Sequence, residues 1–161
     1  MRIVTGGLKM NKLYVMDEKL KNKIINGWKS ASEQLPAMLD GIEKKIEELK
    51  SNKNESEENR TRAELASLEK FLCDNRKGVG QYSRGLKPTL NYLKDNPSEM
   101  QISSEELEAL NQITKEADIM YRNFTSLIES CRTEIRMIDL KFDSEGNFEF
   151  LGILERMGLK K

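Results

Sequence analysis

The chain has 161 residues, of which 37% are hydrophobic and 34% are charged, and its 27 basic residues balance its 27 acidic residues. This length predicts a single domain whose core is large enough to be stable without disulfides or metal ions. Zero net charge argues against a globally basic nucleic-acid-binding protein. The chain has no histidine, so it lacks the usual general base near neutral pH and the commonest transition-metal ligand. We therefore expect a protein that is not an enzyme and binds no metal or other cofactor.

The N-terminal region and the cysteines both indicate a soluble protein of the cytoplasm. Residues 1–7 contain no apolar run typical of a signal peptide, and no window of the chain is apolar enough to predict a membrane span. Cys73 and Cys131 lack metal-binding spacing, so we interpret them as small core residues in a reducing compartment. Residues 1–11 are predicted to be a flexible extension. Residues 12–16 form a short segment whose composition favours a β-strand.

The first long helix is predicted to begin after Asp17, a favourable N-cap, and to end near residue 49. Its apolar residues recur every three or four positions, which places them on one stripe of an α-helix. Pro36 falls inside the stripe, but the spacing keeps its phase on both sides, so we expect one kinked helix. The stripe consists of Leu20, Ile24, Trp28, Ala31, Leu35, Met38, Ile42, Ile46 and Leu49.

Two shorter helices are predicted in the middle of the chain. The polar residues 51–57 form a linker, in which Asn54 and Glu57 fit a capping pair for the next helix. That helix is predicted to run to about residue 76, with Gly78 as its terminator and with four apolar residues facing inward, namely Leu65, Leu68, Phe71 and Leu72. A short helix is expected near residues 88–95, with Pro88 in its first turn.

The second long helix is predicted to begin at a capping box formed by Ser103 and Glu106. The mean spacing of its apolar stripe, about 3.4 residues, is typical of a coiled-coil seam. Beyond this stripe the apolar residues alternate, which favours a β-hairpin over residues 137–151. The alternative is that the helix continues to about residue 140. The stripe consists of Leu107, Leu110, Ile113, Ala117, Met120, Phe124, Leu127, Cys131, Ile135 and Ile138.

Together these elements predict a mainly α fold in one domain, residues 1–161. We expect an antiparallel helical bundle with two long coiled-coil-like helices, two shorter helices and a small C-terminal β-hairpin. Four helices in up-down-up-down order would bring the termini together, so that residues 12–16 could pair with the hairpin. The alternative is three helices with a broken middle one. The long seams also allow a homodimer or other oligomer.

One basic segment, residues 76–94, has no acidic residue. It contains two tyrosines and three glycines, namely Gly78, Gly80 and Gly85. Basic groups interleaved with aromatic rings are typical of proteins that bind single-stranded nucleic acid. A solvated loop would have the same composition without binding anything. The candidate residues for contact with a partner or a phosphate are Arg76, Lys77, Tyr82, Arg84, Lys87, Tyr92 and Lys94.

These observations predict a non-enzymatic protein–protein interaction module of the adaptor, chaperone or inhibitor type. Such a module would present a helix face, or the edge of the hairpin, to a protein partner in the cytoplasm. The alternative function is that of a nucleic-acid-associated protein that uses the basic segment 76–94. No membrane contact is expected.

Overall fold

A computed structural model of the chain describes residues 16–144 and Gly158, with side chains described up to residue 141. Its helices are α1 (Glu18–Ser51), α2 (Glu58–Tyr82), α3 (Lys87–Asp95) and α4 (Ser104–Ser144). Short 3-10 turns at Glu55–Glu57 and Pro97–Glu99 precede α2 and α4. None of the described residues lies in a strand, so the predicted mainly α fold is confirmed. The predicted extension 1–11 and residues 12–15 of the β-prone segment lie outside the described residues.

Several predicted helix signals are found where the sequence places them. Asp17 accepts a hydrogen bond from the backbone N–H of Leu20 at 2.8 Å and caps α1. Ser103 and Glu106 exchange the two bonds of a capping box, at 3.1 and 2.9 Å. Pro36 lies inside α1, which continues through it as a single helix.

Two predictions about α2 are wrong. Asn54 accepts a bond from the N–H of Ser56 and so caps the 3-10 turn, whereas Glu57 accepts a bond from Asn52. The predicted Asn54–Glu57 pair therefore does not cap α2. Gly78 does not end the helix either, because α2 continues to Tyr82. Packing against α4 along this stretch holds the glycine in helical geometry despite its weak helix propensity.

The C-terminal end of α4 differs from the predicted hairpin. Residues 137–144 are helical, so the first strand of a hairpin over 137–151 is wrong, and the rest of that hairpin lies outside the described residues. Ile135 and Ile138 stay on the helical stripe and pack against the core, whereas Met137 and Leu140 are exposed. The alternation read from the sequence thus mixes core residues with surface residues of one helix.

Helix α2 packs against α4 more extensively than any other two helices pack together. Three contacts show the relative direction of the two helices. Arg62 bonds Asp139 at 2.6 Å, Arg132 bonds Glu69 at 2.6 Å, and Arg76 bonds Thr125 at 3.0 Å. As the α2 residue number rises, the α4 number falls by the same amount, so these two helices are antiparallel.

The two long helices, in contrast, run in the same direction. Near the start of both, Lys21 pairs with Glu106. Further along, the indole Nε1 of Trp28 donates to Glu116 at 3.0 Å. Because both residue numbers rise together, α1 and α4 are parallel, and the predicted up-down-up-down order is wrong.

The chain between α2 and α4 continues in the direction of α2. The ring of Tyr82, at the end of α2, lies 5.3 Å from the ring of Trp28. Further on, the N–H of Gln101 donates to the carbonyl of Met16 at 3.2 Å, so the chain has reached the start of α1. Helix α3 lies between these points. The fold is therefore a three-helix arrangement whose middle helix is broken into α2 and α3, which is the alternative that the sequence left open.

The break between α2 and α3 depends on Gly85. Its N–H donates to the carbonyl of Gly80 at 3.0 Å, one residue further back than in an α-helix. A Cβ atom at position 85 would lie 2.9 Å from the carbonyl oxygen of Gln81, which is closer than real side chains come. A glycine is thus required for the chain to change direction here.

A single cluster of buried apolar residues joins the helices. Most members of the two predicted stripes belong to it, while Leu39 and Ile128 are buried positions that the stripes omit. On α4 the fully buried members include Leu110, Phe124 and Cys131. The core lies between α4 and the other helices, which leaves the side of α1 and α2 that faces away from α4 as the outer surface of the bundle.

Candidate protein-docking groove

The basic segment 76–94 is largely helical, as predicted for residues 88–95, and is not a solvated loop. It comprises the last turns of α2, a four-residue turn and most of α3. Tyr82 is only 2% exposed and packs against Trp28 in the core, so its ring is not available to stack on a base. Burial also raises the pKa of its phenol.

The two arginines of the segment contact helix α4. The guanidinium carbon of Arg76 lies 5.2 Å from the centre of the Tyr121 ring, and that of Arg84 lies 4.6 Å from it. Arg76 also donates to the hydroxyl of Thr125 at 3.0 Å. Gly80 allows this approach, because a Cβ there would lie 3.2 Å from the Tyr121 ring. These cations already have an aromatic partner within the fold.

The other four candidates, Lys77, Lys87, Tyr92 and Lys94, are exposed and distributed over two helices. Lys77 lies on α2 and the rest on α3. A hydrogen bond with Glu99 raises the pKa of the Tyr92 phenol, so this ring is engaged with the 3-10 turn that follows α3. The structure therefore separates the seven predicted residues into one buried ring, two arginines on Tyr121 and four exposed side chains.

A predominantly apolar groove lies between α1 and α2, with a volume of about 680 Å³. We call it the α1–α2 groove. Helix α1 supplies one wall from Met38 to Lys45, and α2 supplies the other from Arg60 to Phe71. Its lining consists of Met38, Ile42, Lys45, Arg60, Ala63, Glu64, Ser67, Leu68 and Phe71.

The groove exists because α1 and α2 each pack on α4 more extensively than on each other. Their outward-facing apolar residues are consequently left without a covering helix. Met38 and Leu68 are half-buried at the floor, where they touch the core, and Phe71 is 44% exposed. An apolar concavity that carries an exposed aromatic side chain is typical of a protein-binding surface.

Charged side chains flank one end of the groove. Glu64 lies 3.7 Å from Lys45 across the groove and 3.4 Å from Arg60 on its own helix. These pairs are partly exposed and contribute little to stability. They do, however, give this end of the groove polar groups that could contact the polar side of a bound helix.

The described residues offer no arrangement suited to metal chemistry. No three His, Cys, Asp or Glu residues of the described part are grouped so that they could hold an ion. Cys131 is buried, and burial raises its pKa to about 11, so its thiol is protonated at neutral pH.

The groove could not be located from the sequence, although its residues carried a signal. Leu68 and Phe71 read as inward-facing residues of an amphipathic helix, and Met38 belonged to the first stripe. Which of these residues meets another helix depends on the direction of α1 relative to α4. That direction is not encoded in the spacing of any one helix.

Comparison of the chain with protein-family models, with curated proteins and with solved structures yields no match in any of the three. Within the described part, no helix combines the length and the apolar character that crossing a membrane requires.

Proposed function

We propose that this protein is a non-enzymatic protein–protein interaction module that binds an amphipathic helix of a partner protein in the α1–α2 groove. The observation that carries the proposal is the apolar lining that both helices share, in which Met38 and Leu68 are partly buried and Phe71 is 44% exposed. Binding of a helix in a groove uses apolar anchors at positions i, i+3 or i+4, and i+7 of the ligand.

The fold supports this kind of ligand. Two helices that pack on a common third helix more than on each other leave room for a fourth, and packed helices lie about 8–10 Å apart. A docked helix would cover Phe71, Leu68 and Met38, and its polar side would meet the charged residues near Glu64. Adaptors, chaperones and inhibitors of the cytoplasm all use such a surface. If the bound helix comes from a second copy of this chain, the same groove forms a homodimer.

The nucleic-acid alternative has less support. Tyr82 is buried, and Arg76 and Arg84 lie on Tyr121, so the basic segment presents fewer free groups than its composition suggests. The capture experiment described next distinguishes the two functions, because binding to phosphates weakens steeply with salt whereas apolar docking does not.

The test compares variants of the groove with a matched variant outside it. Ala63→Glu and Phe71→Glu place a charge on exposed parts of the lining, so the fold tolerates them. Ile119→Glu is the control, because Ile119 is 59% exposed on α4 and does not line the groove. A fourth variant combines Lys87→Glu with Lys94→Glu. Each protein, after its helical circular dichroism is checked, is used to capture partners from a lysate at about 0.1 M and 0.5 M salt.

We expect a protein that binds the native chain and the Ile119→Glu variant at both salt concentrations, and that binds neither groove variant. Equal binding to the groove variants would contradict the proposal. If the captured material is nucleic acid, is lost at high salt and is lost with the double lysine variant, the alternative function is correct. If the ligand recovered is a second copy of the chain, solution mass shows the homodimer directly.

A further inference from the structure

Helix α1 borders a second groove, which lies between α1 and α4 and has a volume of about 580 Å³. We call it the α1–α4 groove. Successive residues of an α-helix are about 100° apart around its axis. This spacing places the α1 residues of the second groove, among them Pro36, Asp40 and Glu43, on the side of the helix roughly opposite to Met38 and Lys45 of the α1–α2 groove. The two grooves therefore flank one helix and can be occupied at the same time.

The floor of the α1–α4 groove is apolar. Leu39 is buried there, whereas Met120 and Leu127 are partly buried against the core, and Pro36 is exposed at one end. The α1 wall from Pro36 to Glu43 and the α4 wall from Met120 to Leu127 each span about 10 Å, or two helical turns. The groove thus has the length of two apolar anchors of a bound helix.

The two walls of this groove differ in charge. The α1 wall carries the carboxylates of Asp40 and Glu43, and both residues are exposed. The α4 wall carries Asn123 and Ser126, which are exposed and uncharged. None of the described residues that line the groove is basic. Asp40 lies 3.1 Å from Lys44, but both side chains of this pair are well exposed, so a ligand can compete for the carboxylate.

Pro36 gives the same wall a further hydrogen-bond acceptor. Proline has no backbone N–H, so it cannot donate to the carbonyl of Ser32, one turn earlier in α1. The carbonyls of an α-helix point toward its C-terminus, so this one points toward Pro36 and the groove. The α1 wall therefore offers two carboxylates and one carbonyl, and all three accept hydrogen bonds from lysine or arginine.

The α1–α2 groove has a different charge balance, because Lys45 and Arg60 line it together with Glu64. Complementary charges across an interface select among partners, so the two grooves are suited to different ligands. The phosphates of nucleic acids and of lipid head groups are repelled by the carboxylates of Asp40 and Glu43. The chemistry of the α1–α4 groove therefore favours a basic protein segment.

We propose that the α1–α4 groove is a second protein-binding site, which takes a basic amphipathic helix of a partner protein. The apolar stripe of that helix covers Met120 and Leu127. Its lysines or arginines, one turn apart on one flank, pair with Asp40 and Glu43, which are also one turn apart. Its other flank is uncharged and contacts the α4 wall. Phe71 does not line this groove, so the site is independent of the function proposed for the α1–α2 groove, and together the two sites allow the protein to bridge two partners.

Fluorescent peptides test this proposal on the full chain. Two synthetic amphipathic peptides share the same leucine stripe, and one carries lysines on one flank where the other carries glutamates. The variant Asp40→Lys/Glu43→Lys reverses the charge of the α1 wall at two exposed helical positions, which lysine suits. The control Asp95→Lys/Glu108→Lys makes the same change in net charge at two exposed acidic residues outside the groove. Circular dichroism establishes that each variant is folded.

We expect the native chain and the control to bind the basic peptide at least ten times more tightly than the acidic peptide, because two partly exposed ion pairs together account for about tenfold. The variant Asp40→Lys/Glu43→Lys should prefer the acidic peptide. Equal binding of the two peptides by the native chain would overturn the proposal, and so would absence of binding up to about 1 mM. If the control loses the preference as completely as the groove variant does, the attraction is a general effect of net charge and the site is wrong.

Two further variants locate the bound peptide. Ser126→Arg adds bulk and positive charge to the α4 wall and should weaken binding of the basic peptide at least tenfold, whereas Phe71→Glu should change it by less than about twofold. If the peptide instead requires Phe71 and is indifferent to Ser126→Arg, it binds in the α1–α2 groove. The second site is then wrong and the proposed function stands. If the peptide follows the charge of Asp40 and Glu43 but no lysate partner depends on Phe71, the second site stands and the function proposed for the α1–α2 groove is wrong.

Discussion

The guanidinium carbon of Arg84 lies 4.6 Å from the centre of the Tyr121 ring, which joins the turn between α2 and α3 to the middle of α4. Arg76 lies over the same ring at 5.2 Å. A positive charge over an aromatic face is attracted to it, and the attraction grows where water is displaced. The arginines of the basic segment therefore have a structural role, which changes what their substitution should do.

Arg84→Gln should lower the free energy of unfolding by about 0.5–1 kcal/mol, because it removes the cation from the Tyr121 ring. Chemical denaturation measures this change. Lys87→Gln is the control, since Lys87 is exposed on α3, and it should alter stability by less than about 0.5 kcal/mol. Equal effects of the two substitutions would show that the ring contact does not contribute to stability.

Gly85→Ala and Gly41→Ala should change stability in opposite directions. The new methyl group at position 85 would lie 2.9 Å from the carbonyl oxygen of Gln81, and relief of that overlap should cost about 1–3 kcal/mol. At position 41, inside α1, nothing lies within 4 Å, so alanine should stabilise the helix by up to about 1 kcal/mol. Thermal unfolding of both variants measures the difference, and a stabilising Gly85→Ala would contradict the close contact.

Tyr82→Phe should raise the free energy of unfolding by about 1 kcal/mol. Among the described residues, the buried hydroxyl of Tyr82 has no hydrogen-bond partner, and burial of an unsatisfied polar group is unfavourable. Phenylalanine keeps the ring in its contact with Trp28. Urea denaturation tests the prediction, and a loss of more than about 1 kcal/mol would indicate that the hydroxyl is bonded in solution.

The contribution of Glu106 to stability should depend on pH. Its bonds with Lys21 and Ser103 lower its pKa from 4.5 to about 2. The folded state therefore holds this proton more weakly than the unfolded state, so the stabilisation is complete above about pH 5 and is lost as the pH falls toward 2. We expect Glu106→Gln to lower the free energy of unfolding at pH 7. At pH 2.5 the free energies of unfolding of the variant and the native chain should differ much less.

Denaturation curves at several pH values measure that difference. Glu33→Gln, on an exposed face of α1, accounts for the general effect of removing one negative charge. If the difference in free energy of unfolding between the native chain and Glu106→Gln stayed constant from pH 7 to 2.5, the pairing of Glu106 with Lys21 would be contradicted.

Phe124→Asp should abolish cooperative folding, because Phe124 is fully buried at the centre of α4 and an aspartate there would be an unpaired buried charge. Phe124→Ala, which creates a cavity only, should cost about 3–5 kcal/mol. Ile119→Asp on the exposed side of α4 is the control and should fold normally. Circular dichroism during heating distinguishes the three, and a native-like melt of Phe124→Asp would contradict the core assignment.

The helices and much of the core could be predicted from the sequence because they depend on local spacing. The stripe of α4 predicted Leu110, Phe124 and Cys131 as core residues, and all three are buried. The hairpin prediction was wrong at residues 137–142, where the apolar residues fit both the two-residue period of a strand and the period of a helix. The helix prevails there because Ile135 and Ile138 pack on the core and Asp139 pairs with Arg62.

Helix direction and the groove could not be predicted, because they depend on contacts between residues far apart in the chain. Lys21 and Glu106 are 85 positions apart, and nothing near either residue specifies that α1 and α4 are parallel. The surroundings of the basic segment depend on distant residues in the same way. Its composition is that of a binding loop, but Tyr121, which lies outside the segment, receives Arg76 and Arg84.

Trp28 is the only tryptophan of the chain, and it is buried beside Tyr82 with its indole bonded to Glu116. It lies ten residues, about 15 Å, along α1 from the nearest residue of the α1–α2 groove on that helix, Met38. Its fluorescence consequently reports on the region where the middle helix breaks, away from the α1–α2 groove. Intrinsic emission can thus monitor the integrity of one half of the molecule while an extrinsic dye placed at that groove reports on the other half.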